Sequence, residues 1–382
     1  MSRFGLHDFM NGSFLQSSNS NDTQQSYFES EFPLLSFEDL VRLYCPLRLI
    51  YLNHVVTFST FSLVGFLGNI ALLSVILRTA GLRNAPNILL INLTIADLLY
   101  MSIATPFSII HELNPCWLYG YIACKFRHYL PLVAQAIGIF SLAALSRERY
   151  NAIVRGLESR ISRSTKRTLL VVAATWVLAV IIASPVFVLT KTSSYGLLCQ
   201  YLPMSQKRAK VYIVLQFLLL YVIPLTYITT NYVRLARSLC RSTITANIAS
   251  NISAANPIQA RKRLAQIVLV ITVLFCILWL PYYVYFLWFV FVDDNNVSMD
   301  KNNSRYFRHF YYYMSLANSC LNPWIVFIMS SAHRRSFVQC FKQRKLDVGK
   351  GKLMSTSSGR HRGLSSRIST SSYTYQTNIS RI

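Results

Sequence analysis

The sequence predicts an all-α membrane protein, a bundle of seven transmembrane helices followed by a short amphipathic helix. Three observations lead to this fold class. Of the 382 residues, 53% are hydrophobic and only 14% are charged, well below the roughly 25% that is usual in soluble domains. The apolar residues gather in seven windows that are almost free of charge. The basic residues gather in the breaks between these windows, which argues against nucleic-acid binding as the reason for the net charge of +24.

Each apolar window is long enough, or nearly so, to cross a bilayer core of ~30 Å, which takes about 20 helical residues. Six windows carry no charge, and the second carries only Asp97. In chain order the windows, called here the first to the seventh crossing, are Val55–Leu77, Asn84–His111, Tyr129–Ser146, Thr168–Thr190, Val211–Val233, Leu264–Val292 and Phe310–Ala332. The chain thus divides into an N-terminal tail (1–50), a seven-helix domain (51–332), an amphipathic helix (333–345) and a disordered C-terminal tail (346–382).

The distribution of charge predicts the orientation in the membrane. Because the number of crossings is odd, the two termini lie on opposite sides. The N-terminal tail and the loops on its side hold 12 basic and 10 acidic residues, whereas the other side holds 26 basic and 3 acidic residues. An excess of Lys and Arg marks the cytoplasmic side. We therefore expect a multi-pass protein of the plasma membrane with an extracellular N-terminus and a cytoplasmic C-terminus.

The predicted outer side carries candidate modification sites. Cys124, at the outer end of the third crossing, and Cys199, in the loop before the fifth, face the oxidising side, where a disulfide is expected. Cys45 and Cys116 form a second candidate pair. The N-x-S/T triplets on this side predict glycosylation at Asn11, Asn21, Asn296 and Asn302.

A carboxylate at mid-bilayer is costly, by about 2.5–3.5 kcal/mol on insertion scales, and Asp97 is such a residue. Asn69, Asn318 and Asn322 are candidate partners at a similar depth. Oxygen atoms of this kind suit a Na⁺ ion, or a hydrogen-bond cluster that differs between two conformations. A static cluster that joins helices is the alternative. Apart from this Na⁺ ion, the sequence predicts no cofactor and no metal.

Prolines inside the sixth and seventh crossings predict bends, because proline removes a helical hydrogen bond. Pro281 and Pro323 are the two relevant positions. Phe275 and Trp279 precede Pro281 and make it a candidate pivot, with ordinary core packing as the alternative role.

The predicted inner side carries three further features. The triplet Glu148-Arg149-Tyr150 ends the third crossing, where it either controls a cytoplasmic partner site or marks the positive inner boundary. The amphipathic helix has a basic face suited to anionic lipid, and Cys340 on it is a candidate for palmitoylation. The Ser/Thr-rich tail is a candidate for phosphorylation by a kinase.

A series of motifs occurs along the crossings in a specific order. It comprises Gly68-Asn69, Ala96-Asp97, Glu148-Arg149-Tyr150, Trp176, Pro224, Trp279-Leu280-Pro281 and Asn322-Pro323. In this order the motifs resemble the rhodopsin-like class of G-protein-coupled receptors over about residues 51–345. Further runs resemble the bombesin, endothelin and CCHamide receptors of that class, namely Pro86-Asn87-Ile88, Ala144-Leu145-Ser146, Ala152-Ile153-Val154-Arg155, Arg261-Lys262-Arg263-Leu264-Ala265 and Asn318-Ser319-Cys320-Leu321-Asn322-Pro323.

The resemblance implies a receptor, not an enzyme, that binds an extracellular neuropeptide and activates heterotrimeric G proteins, with Gq suggested and with arrestin and a receptor kinase as regulators. It assigns Cys124 and Cys199 to the outer disulfide and Asp97 to a sodium site. It also assigns Arg149 and Tyr232 to a switch that faces the G protein. An ion-coupled transporter or channel that uses Asp97 is the alternative function.

Three departures from the family pattern concern the switch and the sodium site. Val326 stands where the NPxxY motif has its tyrosine, and Gly138 stands where the sodium site commonly has a serine. The run Arg261-Lys262-Arg263 stands where an acidic partner for Arg149 would lie. We therefore expect a weak resting lock and measurable basal activity.

The predicted ligand pocket is aromatic, with a few amides and cations. Pro131 stands where amine receptors carry an aspartate, which argues against a biogenic amine. The candidate ligand-binding residues are Arg127, Gln135, Gln216, Tyr282, Tyr283, Phe286, Arg308 and Tyr312. A pocket lined by aromatic, amide and cationic side chains suits a peptide, for example one with an amidated C-terminus. For each single residue, ordinary packing in the core is the alternative.

Overall fold

The computed structural model describes residues 52–113, 117–154, 165–192, 199–201, 207–246, 255–291 and 301–340. The N-terminal tail, the sequons at Asn11, Asn21 and Asn296, the pair Cys45 and Cys116, and the tail from residue 341 onward lie outside these ranges. Asn302 lies on the last long helix, but its side chain is not described.

The described chain is helical almost throughout, which confirms the all-α bundle. In chain order its helices are α1 Leu52–Arg78, α2 Ala85–Leu99, α3 Thr105–Leu113, α4 Gly120–Val154, α5 Thr165–Leu189, α6 Lys207–Phe217, α7 Ile223–Ala246, α8 Ala255–Phe291 and α9 Lys301–Met329. A π-helical turn, Tyr100–Ala104, joins α2 to α3, and a second, Leu218–Val222, joins α6 to α7. These two pairs are therefore the second and fifth crossings. A further helix covers residues 331–340.

A 3₁₀ turn, Ala80–Leu82, and two short strands form the remaining regular structure of the described residues. β1 (Lys191–Thr192) and β2 (Cys199–Gln200) pair antiparallel, with Thr192 opposite Cys199. They lie between the fourth and fifth crossings in sequence, and they place Cys199 at the outer end of the third crossing.

The crossings meet the requirements of a bilayer. Among the described residues, six helices are long and apolar enough to span a membrane, and they correspond to the first six crossings. Apolar side chains such as Leu170 (71% exposed) and Val188 (78% exposed) cover the outside of the bundle. An apolar surface of this extent is unfavourable in water but favourable in lipid. The seventh crossing, α9, is more polar because its first turns carry Lys301 and Arg308.

Several helices extend beyond the uncharged windows, among them two at the predicted outer side. The third crossing begins at Gly120 rather than Tyr129, and the seventh begins at Lys301 rather than Phe310. In both cases the helix continues beyond the apolar window, since charged side chains are tolerated where a helix end leaves the hydrocarbon. Arg127 and Arg308 therefore lie on helices and not in loops.

Close packing fixes the helices relative to one another. The third crossing contributes fully buried side chains to the centre, among them Ile137 and Leu142. The first and seventh crossings pack closely at Gly65, where an added Cβ would lie 2.9 Å from the Cα of Cys320. Because only a residue without a side chain fits there, Gly65 sets the distance between these two helices.

Candidate functional site

The outer end of the bundle is closed by a disulfide between Cys124 and Cys199, as the sequence predicts. The bridge ties β2 to the outer end of the third crossing. Tyr201 follows two residues later, and its ring lies against His128 of the same crossing, with centroids 4.8 Å apart. The disulfide thereby brings Tyr201 over the space between the helices.

Tyr282 is the centre of a polar and aromatic network below this loop. Its hydroxyl lies 2.9 Å from the hydroxyl of Tyr201 and accepts a 3.1 Å hydrogen bond from Nε2 of Gln216. The ring of Tyr282 also packs on Phe286, with centroids 4.7 Å apart. The network joins the fifth crossing, the sixth crossing and the second outer loop.

A second amide–tyrosine pair lies deeper. Nε2 of Gln135, on the third crossing, donates a 2.9 Å hydrogen bond to the hydroxyl of Tyr283 on the sixth. Tyr282 also contacts Trp279 edge to face at 5.8 Å, and Trp279 lies 5.9 Å from Phe275. A continuous path of rings therefore leads from the outer network to Phe275, which precedes Pro281 in the sixth crossing.

Asp97 lies in a buried polar cluster, as the sequence predicts. Its Oδ2 accepts a 2.8 Å hydrogen bond from Nδ2 of Asn322, and the carboxylate also bonds to the Ser319 side chain. Nδ2 of Asn69 donates to the carbonyl of Ser319 at 3.1 Å. The Oδ1 atoms of Asn69 and Asn318 are buried and accept no hydrogen bond in this arrangement. These oxygens fit the preference of Na⁺ for oxygen ligands.

The inner end of the third crossing meets the fifth. Arg149 is buried, with 5% of its surface exposed, and Glu148 and Tyr150 beside it are partly buried. Nδ2 of Asn231 donates a 3.0 Å hydrogen bond to the hydroxyl of Ser146. The next residue on this helix is Tyr232, whose hydroxyl donates to the carbonyl of Ala265 at 2.9 Å and so reaches the sixth crossing.

Residues 68–325 match the family described as 7 transmembrane receptor (rhodopsin family). The chain belongs to this family. The match covers the first crossing from Gly68 and continues as far as Ile325 in the seventh, and it confirms the resemblance that the motifs carry.

Curated relatives of the receptor are about a third identical to it over the aligned residues. It is 30% identical to bombesin receptor subtype-3 of Ovis aries over 75% of its own length and 73% of that protein. It is 33% identical to the neuropeptide CCHamide-1 receptor of Drosophila melanogaster over 74% of its length and 58% of that protein. It is 32% identical to galanin receptor type 1 of Rattus norvegicus over 78% and 86% respectively. Family membership supports a multi-pass plasma-membrane receptor over an enzyme or a transporter.

In the receptor, five of the predicted ligand-binding residues come together. They are Gln135, Gln216, Tyr282, Tyr283 and Phe286. Tyr312 lies on the far side of Tyr311, where it lines a separate small cavity with His54 and His309. The guanidinium of Arg127 lies 5.5 Å from the centre of the buried Trp117 ring, and Arg308 is partly buried on the seventh crossing.

Tyr201 is the pocket residue that sequence reasoning missed. It lies in an outer loop whose sequence shows no periodicity, so the pattern of apolar residues carries no information about its position. Its distance of two residues from Cys199 is the signal that could have identified it, because the predicted disulfide anchors that point to the third crossing.

The seventh crossing ends in a sharply capped turn. Oγ of Ser330 lies 2.7 Å from Nδ1 of His333, and the side chain of Arg334 donates to the carbonyls of Phe327 and Ile328. The helix that follows is the predicted amphipathic helix, described as far as Cys340, whose thiol is partly exposed and not disulfide-bonded.

Proposed function

We propose that the receptor binds an extracellular neuropeptide in the outer half of the bundle and activates a heterotrimeric G protein at its inner side. The observation that carries this proposal is the network in which Tyr282 bonds to both Tyr201 and Gln216. A ligand that enters between these side chains contacts the fifth and sixth crossings at once. Binding there can therefore favour one arrangement of the two helices over another.

The chemistry of the network supports a peptide ligand. Gln135, Gln216 and Tyr282 offer amide and hydroxyl groups that pair with a peptide backbone or a terminal amide, and the rings of Tyr283 and Phe286 offer stacking surfaces. The relatives at about 30% identity are named as bombesin and CCHamide receptors, which supports a peptide of one of these types.

Activation would proceed as a population shift between two arrangements. The path from Tyr282 through Trp279 to Phe275 joins the pocket to the bend before Pro281. A ligand that displaces Tyr282 changes the packing of Trp279. The inner half of the sixth crossing would then swing outward from Tyr232 and open a site for the G protein beside Arg149.

The same proposal includes the orientation of the receptor in the membrane and its regulation by a kinase and arrestin. The N-terminus would be extracellular and glycosylated, and the C-terminal tail cytoplasmic, with phosphorylation by a receptor kinase recruiting arrestin. The bombesin-like runs favour coupling through Gq. A Na⁺ ion held by Asp97 and the oxygens of Asn69, Asn318 and Asn322 would supply a positive charge that stabilises the buried carboxylate.

Signalling in transfected cells tests the proposal. Cells that express the receptor are exposed to bombesin-like, CCHamide-like and galanin-like peptides, with calcium and cAMP as readouts. We expect a concentration-dependent response to one peptide type, absent from untransfected cells. Gln216→Leu removes the donor to Tyr282 and should weaken the potency roughly 2–10-fold, the value of one hydrogen bond.

The matched control is Thr60→Val on the exposed outside of the first crossing, where the threonine hydroxyl bonds to its own helix. It should leave the potency unchanged at equal surface expression. An electrogenic flux without any G-protein response would overturn the proposal in favour of a transporter.

A further inference from the structure

A groove on the lipid-facing side of the fifth crossing plays no part in the sites described above. It has a volume of about 650 Å³ and extends from Tyr221 in the π-helical turn to Arg237 near the inner end of α7. The opposite side of α7, which carries Ile228 and Asn231, is buried in the bundle. The groove therefore faces the bilayer and not the ligand pocket.

The wall of the groove is apolar in character, although it contains threonines. The hydroxyl of Thr226 donates to the carbonyl of Val222 and that of Thr230 to the carbonyl of Thr226, each at 2.8 Å. With these donors satisfied inside the helix, the threonine methyl groups and the side chain of Val233 form the surface. Such a wall accepts a hydrocarbon chain without leaving a polar group unpaired.

The inner end of the groove is positively charged. Arg234 and Arg237 both line it, and both are exposed. They are three residues apart on the helix and so lie on the same side. From Arg234 to Val222 the helix rises by about 18 Å, slightly more than half of a ~30 Å hydrocarbon core. The guanidinium groups therefore stand at headgroup level and the apolar wall spans one leaflet.

We propose that this groove binds an anionic glycerophospholipid of the cytoplasmic leaflet. The phosphate and acidic headgroup lie on Arg234 and Arg237, and one acyl chain runs along Thr230 and Thr226. Charge complementarity selects this occupant, because the cytoplasmic leaflet holds the anionic lipids and each nearby Arg contributes to the attraction. Arginine also binds phosphate oxygens through two parallel hydrogen bonds. The proposal rests on the orientation proposed above and not on the nature of the peptide.

Native mass spectrometry of the full-length purified receptor tests the proposal. The receptor is titrated with phosphatidylserine in a background of phosphatidylcholine, and the bound fraction of each lipid is measured. Arg234→Gln/Arg237→Gln should weaken phosphatidylserine binding about 30-fold, the value of two surface charges near a membrane. Thr230→Trp keeps both charges but fills the groove, and it should also weaken phosphatidylserine binding severalfold.

The matched control is Lys166→Gln/Arg167→Gln, which removes two exposed charges from the inner end of the fourth crossing. It should leave the tightest phosphatidylserine site unchanged. If both double variants lose phosphatidylserine binding equally, the loss reflects general surface charge and the proposal is overturned. Unchanged binding in Arg234→Gln/Arg237→Gln or in Thr230→Trp would also overturn it. All variants are compared at equal monodispersity, so that misfolding is recognised.

Discussion

The hydroxyl of Tyr232 donates a 2.9 Å hydrogen bond to the backbone carbonyl of Ala265 and so joins the fifth and sixth crossings near their inner ends. The start of the sixth crossing carries Arg261-Lys262-Arg263 and no acidic residue that could pair with Arg149. The bond from a tyrosine to the helix backbone is therefore a contact that holds the inner ends together in place of an ion pair.

Tyr232→Phe removes this bond and keeps the ring. One hydrogen bond is worth about 0.5–1.5 kcal/mol, so the population with an open inner end should rise roughly 2–10-fold. The measurement is the distance distribution between spin labels on the inner ends of the third and sixth crossings, without ligand. The helix distances are measured rather than signalling, because the family resemblance also assigns Tyr232 to the switch that faces the G protein. A signalling assay would not separate the two roles of Tyr232.

The control for this experiment is Tyr227→Phe. Tyr227 lies on the same helix but points toward lipid, with 42% of its surface exposed. Its substitution should leave the distances unchanged. If both variants open equally, or neither does, Tyr232 does not hold the inner ends together.

A second prediction concerns the contact between the first and seventh crossings. A Cβ at Gly65 would lie 2.9 Å from the Cα of Cys320, which is backbone and can move away only with its helix. Gly65→Ala should therefore lower the thermal stability of the purified receptor and its surface expression. Overpacking of this kind costs typically about 1–3 kcal/mol.

Gly81→Ala serves as the comparison, because a Cβ at Gly81 would meet no atom within 4 Å. It should leave both quantities nearly unchanged. If the Gly65→Ala variant is as stable as the Gly81→Ala variant, the first and seventh crossings can move apart without loss of stability, and the prediction is wrong.

The sequence predicts the bundle well because lipid constrains it strongly. A run of about 20 uncharged residues has few stable locations outside a membrane, and the crossings follow from such runs. Asp97 and Asn322 could also be paired from the sequence, since each is a polar residue at mid-membrane depth and their 2.8 Å bond satisfies both.

The pocket was predictable only in part. Residues such as Gln216 and Tyr282 lie on crossings, where helical periodicity and family motifs locate them. Tyr201 lies in a loop, where neither rule applies, and its position depends on a tertiary contact through Cys199. Tyr312 packs against Tyr311 and lines a small cavity with His54 and His309, and its place in the ligand pocket stays a prediction.

The proposed sodium site at Asp97 yields a gain-of-function prediction. Gly138 lies where the family commonly has a serine, and an added Cβ there would meet Cδ1 of Leu93 at 3.6 Å, an ordinary contact. Gly138→Ser should therefore fold and add a hydroxyl ligand. We expect a larger increase in thermal stability on replacing choline chloride with sodium chloride than in the unmodified receptor.

Two variants separate ion binding from packing at this site. Gly138→Ala adds the same Cβ without the oxygen and should not increase the response to sodium. Asp97→Asn removes the negative charge and should abolish the response in either background. A sodium effect that survives in Asp97→Asn would place the ion elsewhere.

The junction after the seventh crossing predicts a dependence of stability on pH. Burial lowers the pKa of His333 below its ordinary value of 6.5, and its Nδ1 lies 2.7 Å from the hydroxyl of Ser330. The folded junction thus binds a proton less readily than the unfolded chain does. Its stability is complete above the ordinary pKa and falls on acidification below it, by at most about 1.4 kcal/mol per pH unit.

Thermal unfolding of the purified receptor at a series of pH values tests this dependence. His333→Phe keeps a ring in the buried position but cannot titrate, so it should retain more of its stability on acidification than the unmodified receptor does. Because all other titrating groups are common to both proteins, the difference between the two curves isolates His333. This difference in stability should be constant above the ordinary histidine pKa of 6.5 and should change only below it. Parallel curves across the whole range would mean that protonation of His333 does not affect the junction.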